Sequence, residues 1–190
     1  MIRTFLGGLV VTGLLLVGLA AQQPVQLKPN LKEISSRGLS GRRAPSFALP
    51  DGALKQYDIL DYRGRWLLLE FLKTDMQQCK DLVKQLDQMK PRLGAKVAML
   101  AVVVPPDNTS TVSRFLIDTK TTTPVVFDSG QTAMWYFKAT PQHSQFDTPH
   151  VFAINPAGML VKDWNQSELE AKGFAAQLDA LVGLAAAPKK

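Results

Sequence analysis

Two sulfur-bearing residues, Met76 and Cys79, lie three positions apart and are separated by two glutamines. They follow an apolar run, 66–72, that predicts a buried strand, and they open a segment with the apolar spacing of a helix. A thiol at a helix N-terminus is activated, because the helix dipole and the N–H groups there stabilise its thiolate. A methionine thioether cannot form a thiolate, and Cys79 is the only cysteine of the chain. The sequence therefore predicts one thiol without a cysteine partner.

Composition narrows the possible functions. A single cysteine excludes an intramolecular disulfide, and one cysteine with two histidines gives no zinc signature. The net charge is +6, but residues 44–188 hold 14 Lys and Arg against 15 Asp and Glu. The excess positive charge lies in the N-terminal 43 residues and in the last two lysines, whereas a nucleic-acid-binding domain carries a basic face on its fold. We therefore expect no nucleic-acid partner.

The sequence of the N-terminal 43 residues predicts a targeting or anchoring segment followed by a linker. An apolar run from Phe5 to Ala21 follows Arg3 and ends in small residues, which is typical of a secretory signal peptide, 1–21, or of a short membrane anchor. Residues 22–43 are basic and rich in Pro, Gly and Ser, which predicts a flexible linker that lies near an anionic membrane surface or in solvent. The domain, 44–186, is then extracytoplasmic: periplasmic, secreted or membrane-tethered.

The remaining pattern alternates strands with helices, which predicts an α/β domain whose mixed central sheet is covered by helices on both faces. An N-terminal β-hairpin precedes this core, and a second hairpin turns at 155–158. Pro91 predicts that the first helix ends or kinks near Lys90, and Gly94 is predicted to close it. The predicted strands are 44–49, 54–59, 66–72, 97–104, 124–127, 151–154 and 159–161; the predicted helices are 76–90, 110–117, 132–137 and 167–184, the last opened by a capping box at 167–170.

Four short motifs occur in this order: Ala44-Pro45 with Leu49-Pro50-Asp51-Gly52, then 61–65, then Thr148-Pro149 before an apolar strand, then 155–158. Together they resemble the bacterial membrane-tethered thioredoxin-like proteins, a branch of the thiol–disulfide oxidoreductases related to the peroxiredoxins. The resemblance covers about residues 43–184 and implies a thioredoxin-like three-layer α/β/α fold.

Three departures from the family pattern bear on activity. Met76 occupies the position of the nucleophilic cysteine, Gln77-Gln78 replaces the usual intervening pair, and 142–147 is additional loop. Because the first cysteine attacks the disulfide and the second resolves the mixed disulfide, the resemblance implies that dithiol turnover is absent or weak. A peroxiredoxin activity is not expected, since its peroxide-attacking cysteine also corresponds to Met76.

The resemblance places Cys79 at the resolving position and Glu70 at the position of a buried carboxylate that moves the proton of that cysteine. Cys79 is then either an inert core residue or a single thiol that forms mixed disulfides with a partner or a small thiol. Glu70 either assists Cys79, with a pKa raised by desolvation, or is paired with a lysine such as Lys73 or points to solvent.

The motif Thr148-Pro149 resembles the cis-proline loop of the family, which implies that Thr148 contacts an extended peptide through its backbone. His150 follows this proline, and we expect it either to be structural or to approach Cys79 and Met76. In the second arrangement these three residues are soft or borderline ligands suited to Cu(I).

These observations support three hypotheses. The first is an extracytoplasmic thioredoxin-like oxidoreductase with a degenerate active site, without a cofactor, that acts on a thiol substrate weakly or through one thiol. The second is a non-catalytic module that binds an extracytoplasmic protein partner through Thr148, Pro149 and His150. The third is a Cu(I) site at Met76, Cys79 and His150.

Overall fold

A mixed five-stranded sheet forms the centre of the protein in the computed structural model, which describes residues 41–140 and 146–184. Its strand order is β5-β4-β3-β6-β7; β4 pairs in parallel with β3 and β5, and β6 pairs in antiparallel fashion with β3 and β7. A separate two-stranded hairpin, β1-β2, precedes it. The strands are β1 Ala48–Pro50, β2 Gln56–Asp58, β3 Trp66–Leu72, β4 Val97–Val103, β5 Val125–Phe127, β6 His150–Ile154 and β7 Leu160–Trp164.

Five α-helices cover the sheet: α1 Gln77–Leu93, α2 Thr109–Thr119, α3 Gln131–Phe137, α4 Gln166–Glu170 and α5 Phe174–Leu181. One core lies between the sheet and helices α1, α2, α4 and α5, and contains Leu68, Leu72 and Cys79. A second core lies on the other face, beneath α3 and the hairpin, and contains Phe71 and Phe152. The predicted three-layer α/β/α architecture with a mixed sheet and an N-terminal hairpin is confirmed.

Strand β3 shows why the sheet needs both layers. Leu68, Glu70 and Leu72 alternate with Leu67, Leu69 and Phe71 along this strand, and side chains of a strand alternate between its two faces. All six are buried. A central strand that is apolar on both faces is stable only when both faces are covered.

Helix α1 does not end where Pro91 predicts. It continues to Leu93, and the Gly94 N–H closes it by donating to the carbonyl of Lys90. Pro91 removes only the hydrogen bond that an N–H at this position would give to the carbonyl of Asp87. Because this loss falls within the last turn, the helix tolerates it and ends at the next glycine.

The predicted C-terminal helix is divided into α4 and α5. Asn165, and not Ser167, is the N-cap: its side chain accepts from the Glu168 N–H, and the Glu168 carboxylate accepts from the Asn165 N–H. A capping box is therefore present, as predicted, but it begins at Asn165, two residues before the predicted Ser167. Ala171 leaves the helical conformation and Gly173 precedes α5, which separates the two helices.

The last residues of the predicted linker belong to the domain. The Gly41 N–H donates to the carbonyl of Leu160 at 2.6 Å, and the Leu160 N–H donates to the carbonyl of Arg42 at 2.8 Å. Arg43 bridges Met159 in antiparallel fashion. The edge of β7 offers unpaired backbone groups, which explains this pairing.

The predicted signal or anchor, 1–21, and most of the predicted linker lie outside the described residues, as do 142–145 of the additional loop and 185–186 of the predicted domain. None of the helices within residues 41–140 and 146–184 has the length and apolar character that crossing a bilayer requires.

Candidate functional site at the start of helix α1

The candidate site lies between the end of β3 and the start of α1. Met76 is the N-cap of α1, with an extended backbone (φ −85°, ψ 126°), and its N–H donates to the carbonyl of Lys73 at 3.3 Å. Its thioether makes no capping hydrogen bond, and the first turn of α1 holds no acidic residue. The positive end of this 17-residue helix faces the site, and the carboxylates of Asp75 and Asp107 lie near enough to act on the Cys79 thiol.

Cys79 is buried at this end of the helix, with 0% of its surface exposed. Burial raises the pKa of its thiol from 9.0 to about 11, although the hydrogen bond that Sγ accepts from the Lys73 N–H, at 3.4 Å, acts to lower it. The net shift corresponds to roughly 3 kcal/mol, whereas a helix N-terminus contributes about 0.3–1 kcal/mol. Desolvation therefore outweighs the helix dipole, and Cys79 is a neutral thiol at pH 7.

This environment predicts slow alkylation of Cys79. At pH 8 we expect iodoacetamide to modify the folded chain at least about 100-fold more slowly than the chain in urea, because the thiolate fraction falls about tenfold for each unit of raised pKa. The measurement is the rate of thiol loss against pH. A Cys79→Ala, Gln78→Cys variant is the matched control, since position 78 is exposed. A rapid reaction with an apparent pKa below about 8.5 would contradict this environment and favour single-thiol chemistry.

The loop before β6 meets Met76 at this site. The Thr148–Pro149 peptide bond is cis, and the Thr148 hydroxyl donates to Sδ of Met76 at 3.4 Å. Thr148 is 7% exposed and Pro149 is buried. The fold therefore brings together four of the residues singled out in the sequence: Met76, Cys79, Thr148 and Pro149.

His150 does not join them. It lies opposite Phe71 in the β3–β6 ladder, and its ring contacts the rings of Phe137 and Phe152 in the second core, at 4.9 and 4.6 Å between centroids. Its Nε2 lies 2.8 Å from the Asp163 carboxylate. The expectation that His150 approaches Cys79 and Met76 is wrong, because the alternation of side chains along β6 directs His150 to the opposite face of the sheet.

The Cu(I) hypothesis loses its third ligand in consequence. Within the part of the chain that the structure describes, no group of three or more His, Cys, Asp and Glu residues could hold a metal ion. His150 is also 3% exposed, so its side chain is not a surface for a partner. Its position supports the structural alternative, in which the His150–Asp163 pair anchors the first residue of β6.

Glu70 lies on the same face of the sheet as Cys79 and is 0% exposed. Neither carboxylate oxygen has a hydrogen-bond partner among the described residues, so the alternatives of a pair with Lys73 and of a solvent-facing carboxylate are wrong. Burial raises the pKa of Glu70 to about 8, while Lys90 acts to lower it and Asp87 to raise it further.

The two buried acids face different surroundings. Lys90 and Asp87, which act on Glu70, lie in the C-terminal half of α1. The charged groups that act on the pKa of Cys79 are Asp107, Asp75 and Lys73, around the helix N-terminus. Glu70 therefore remains a candidate for proton transfer by its protonation state and by the face it shares with Cys79, and its assistance to Cys79 stays a prediction.

One residue of the site had no signal in the sequence. Asp107 accepts hydrogen bonds from the Thr74 N–H at 3.0 Å, from the Thr74 hydroxyl, and from the Thr111 hydroxyl at 2.9 Å. It thereby ties the loop that carries Met76 to the start of α2, and its charge acts to raise the pKa of Cys79. It lies 31 residues after Met76, so only the adjacency of β3 and β4 brings the two loops together.

This sheet, with a helix N-terminus beside a cis-proline loop, makes the protein a thioredoxin-like α/β domain. The pattern of the AhpC/TSA family matches residues 40–162, and the chain belongs to that family. The thiol-disulfide oxidoreductase ResA of Bacillus subtilis (strain 168) is 28% identical over 123 residues, which are 64% of this chain and 65% of that protein. The chain therefore matches just under two thirds of the length of this relative.

Solved structures agree on the fold. A thiol:disulfide interchange protein of the thioredoxin family from Chlorobium tepidum TLS has a TM-score of 0.58 and 15% identity, covering 76% of this chain and 95% of that one. Peroxiredoxin Q of Xanthomonas campestris has a TM-score of 0.58 and 18% identity, covering 73% and 90%. At these identities the likeness concerns the fold alone.

Proposed function

We propose that this chain is an extracytoplasmic thioredoxin-like domain that does not turn over dithiols and instead binds an extended segment of a partner protein beside the Thr148-Pro149 loop. The observation that carries the proposal is the pairing of a thioether with a buried, neutral thiol. Met76 takes the position of the attacking thiolate, and burial raises the pKa of Cys79 to about 11.

Thiol–disulfide exchange needs a thiolate that can reach a disulfide sulfur. Met76 supplies no thiolate, and Cys79 is neither exposed nor ionised at neutral pH. A single-thiol reaction at Cys79 has the same difficulty, since access and thiolate fraction both limit its rate. The environment of Cys79 therefore favours binding over redox turnover.

The binding surface that we propose is the junction of Met76 with Thr148 and Pro149. Thr148 precedes β6, which lies inside the sheet between β3 and β7, so the backbone of the loop leads directly into a central strand. An extended segment that aligns with such a backbone gains main-chain hydrogen bonds, with side-chain contacts to select it. Membership of a family whose relative is a thiol-disulfide oxidoreductase supports a protein or thiol partner.

The proposal includes the organisation of the whole chain. Residues 1–21 act as a secretory signal or an anchor, and the basic segment that follows connects it to the domain. The point at which this segment joins the domain, along the edge of β7 at Leu160, supports a tethered arrangement, since Gly41 and Arg42 are held there by backbone hydrogen bonds. Localisation outside the cytoplasm follows from the signal.

The absence of dithiol turnover is tested by insulin reduction. We expect the full chain to reduce insulin disulfides no faster than its Cys79→Ala variant, because no thiolate pair is present. The assay follows insulin precipitation with dithiothreitol as the electron source. A rate well above the Cys79→Ala control would refute this part of the proposal.

Binding is tested by affinity capture from an extracytoplasmic extract. We expect a protein retained by the full chain to be lost with Thr148→Arg, which places a long charged side chain at the proposed surface. Because Thr148 is buried, a urea unfolding curve first establishes that this variant is folded. Ser46→Arg is the matched control: Ser46 is exposed and belongs to the N-terminal hairpin region. Capture that is unchanged by Thr148→Arg, or lost equally with Ser46→Arg, would count against the proposed surface.

A further inference from the structure

Thr148 and Pro149 are less exposed to solvent than the residues of a loop at the end of a sheet usually are. Both residues are buried, although they lie in a loop at one end of the sheet, where β6 begins. The one side-chain hydrogen bond described for Thr148 joins its hydroxyl to Sδ of Met76, at 3.4 Å. The Met76 side chain therefore extends from the start of α1 across to the loop.

The same side chain borders the core that contains Cys79. Met76 precedes Cys79 by three positions, about one helical turn, and Gln77 and Gln78 between them are exposed. Met76 is itself half-buried and packs against the core cluster that includes Cys79. Cys79 is fully buried although it is only the third residue of the helix. Met76 thus borders both the loop and the core that contains the thiol.

Met76 is weakly held in this position. A thioether is a poor hydrogen-bond acceptor, and methionine has three side-chain torsions and no branch, so it moves without a change in the backbone. Met76 is the N-cap residue, and its side chain makes no capping bond that would be lost when it moves. Displacing it requires only the loss of one weak hydrogen bond and of apolar contacts.

We propose that the Met76 side chain is a lid that lies between the start of α1 and the Thr148-Pro149 loop and covers Cys79. An extended partner segment must displace this side chain to reach the loop, and an unbranched apolar side chain on the segment would replace its packing. The description of the partner as an extended segment rests on the proposed function, whereas the covering of Cys79 by Met76 does not. Displacement of the lid then exposes the single thiol.

The test is the alkylation rate of Cys79 in the full chain, where one thiol makes the readout specific. With iodoacetamide at fixed pH, we expect Met76→Ala to react at least about tenfold faster than wild type. Met76→Leu, which keeps an apolar side chain of similar size, should stay within about threefold of wild type. Thr148→Val, which removes the hydroxyl that holds Sδ, should react about two- to fivefold faster and serves if Met76→Ala does not fold.

Global unfolding is separated from lid opening by a second core methionine of the same helix. Met89 is buried near the other end of α1, so Met89→Ala loses a similar side chain far from Cys79. Its alkylation rate should rise steeply with low concentrations of urea, whereas that of Met76→Ala should be nearly constant. A Met76→Ala rate equal to that of Met76→Leu, or one that follows urea as in Met89→Ala, would overturn the lid.

The outcomes for the lid and for partner binding are distinguishable. A fast Met76→Ala reaction, with no protein captured through Thr148, would leave the lid in place and refute the binding module. Unchanged alkylation would refute the lid whatever the capture experiment shows.

Discussion

Replacing Met76 with cysteine is expected to create a disulfide with Cys79 and to give this chain the dithiol activity that we propose it lacks. Position 76 is half-exposed and caps a 17-residue helix whose first turn contains no acidic residue. A thiol there has the features that lower a thiol pKa. Cys79, one turn later and buried, would act as the resolving thiol. The Met76→Cys change therefore supplies a thiol at the position where an attacking group is expected.

The measurement is a count of free thiols before and after mild oxidation, followed by insulin reduction. We expect two reactive thiols in the reduced, unfolded variant, none after oxidation, and reduction at least about tenfold above wild type, which is the order of gain expected from restoring a thiolate. Met134→Cys is the matched control, because Met134 is 37% exposed on α3 and its thiol should remain free. If both thiols of Met76→Cys stay free after oxidation, the assigned correspondence of 76–79 with the dithiol motif is wrong.

The second large effect concerns Glu70 and the pH dependence of stability. The free energy of unfolding should fall as pH rises from about 4.5 to about 8, and should depend little on this residue outside that range. The carboxyl is fully buried, and burial raises its pKa from 4.5 to about 8. In this window the folded chain retains a proton that the unfolded chain releases, so raising the pH favours unfolding.

The size of this effect follows from the shift. Each pH unit in the window removes about 1.4 kcal/mol, so the loss approaches about 4–5 kcal/mol when Glu70 is fully ionised. Neither oxygen has a hydrogen-bond partner among the described residues, so little in the protein offsets the charge once it forms. A loss of this size is a large part of the roughly 5–15 kcal/mol that stabilises a typical domain.

Urea unfolding of the full chain at pH 5, 6.5 and 8 measures this dependence. Glu70→Gln removes the titrating group, so the stability difference between variant and wild type should shift in favour of the variant by about 1.4 kcal/mol per pH unit between 5 and 8. Glu170→Gln is the matched control, since Glu170 is exposed at the end of α4. A Glu70→Gln difference that is constant across these pH values would show that Glu70 is already ionised in the folded protein.

The sequence by itself determined the order of the elements and the fold. Strand 66–72 is apolar on both faces, and 97–104 reads the same way; such runs between helical patterns require a central sheet with two covered faces. That residue 76 cannot form a thiolate also needs no structure, because it is a matter of residue type. The helix starting after Met76 is determined by the spacing of its apolar residues.

The sequence determines the ends of the helices less well than their order. The helix end predicted near Lys90 falls three residues before the last residue of α1, Leu93, because a proline in the last turn costs only one backbone hydrogen bond. The capping residue of α4 was placed at Ser167, although Asn165 has equally suitable chemistry two positions earlier. Local patterns of this kind name several candidate caps, and the packing of the helix against the sheet selects one.

Only the tertiary structure decided which residues share the site. His150 and Cys79 were placed together in the sequence-based hypothesis, yet strand pairing puts His150 opposite Phe71 and on the other face. A shift of one residue in register would reverse that face, so no local pattern determines it. The contact of Thr148 with Met76 and the hydrogen bonds of Asp107 to Thr74 likewise join distant parts of the chain. The charge state of Cys79 also depends on the tertiary structure. A helix N-terminus favours its thiolate, but burial in the core keeps the thiol neutral, and burial is a property of the packed structure.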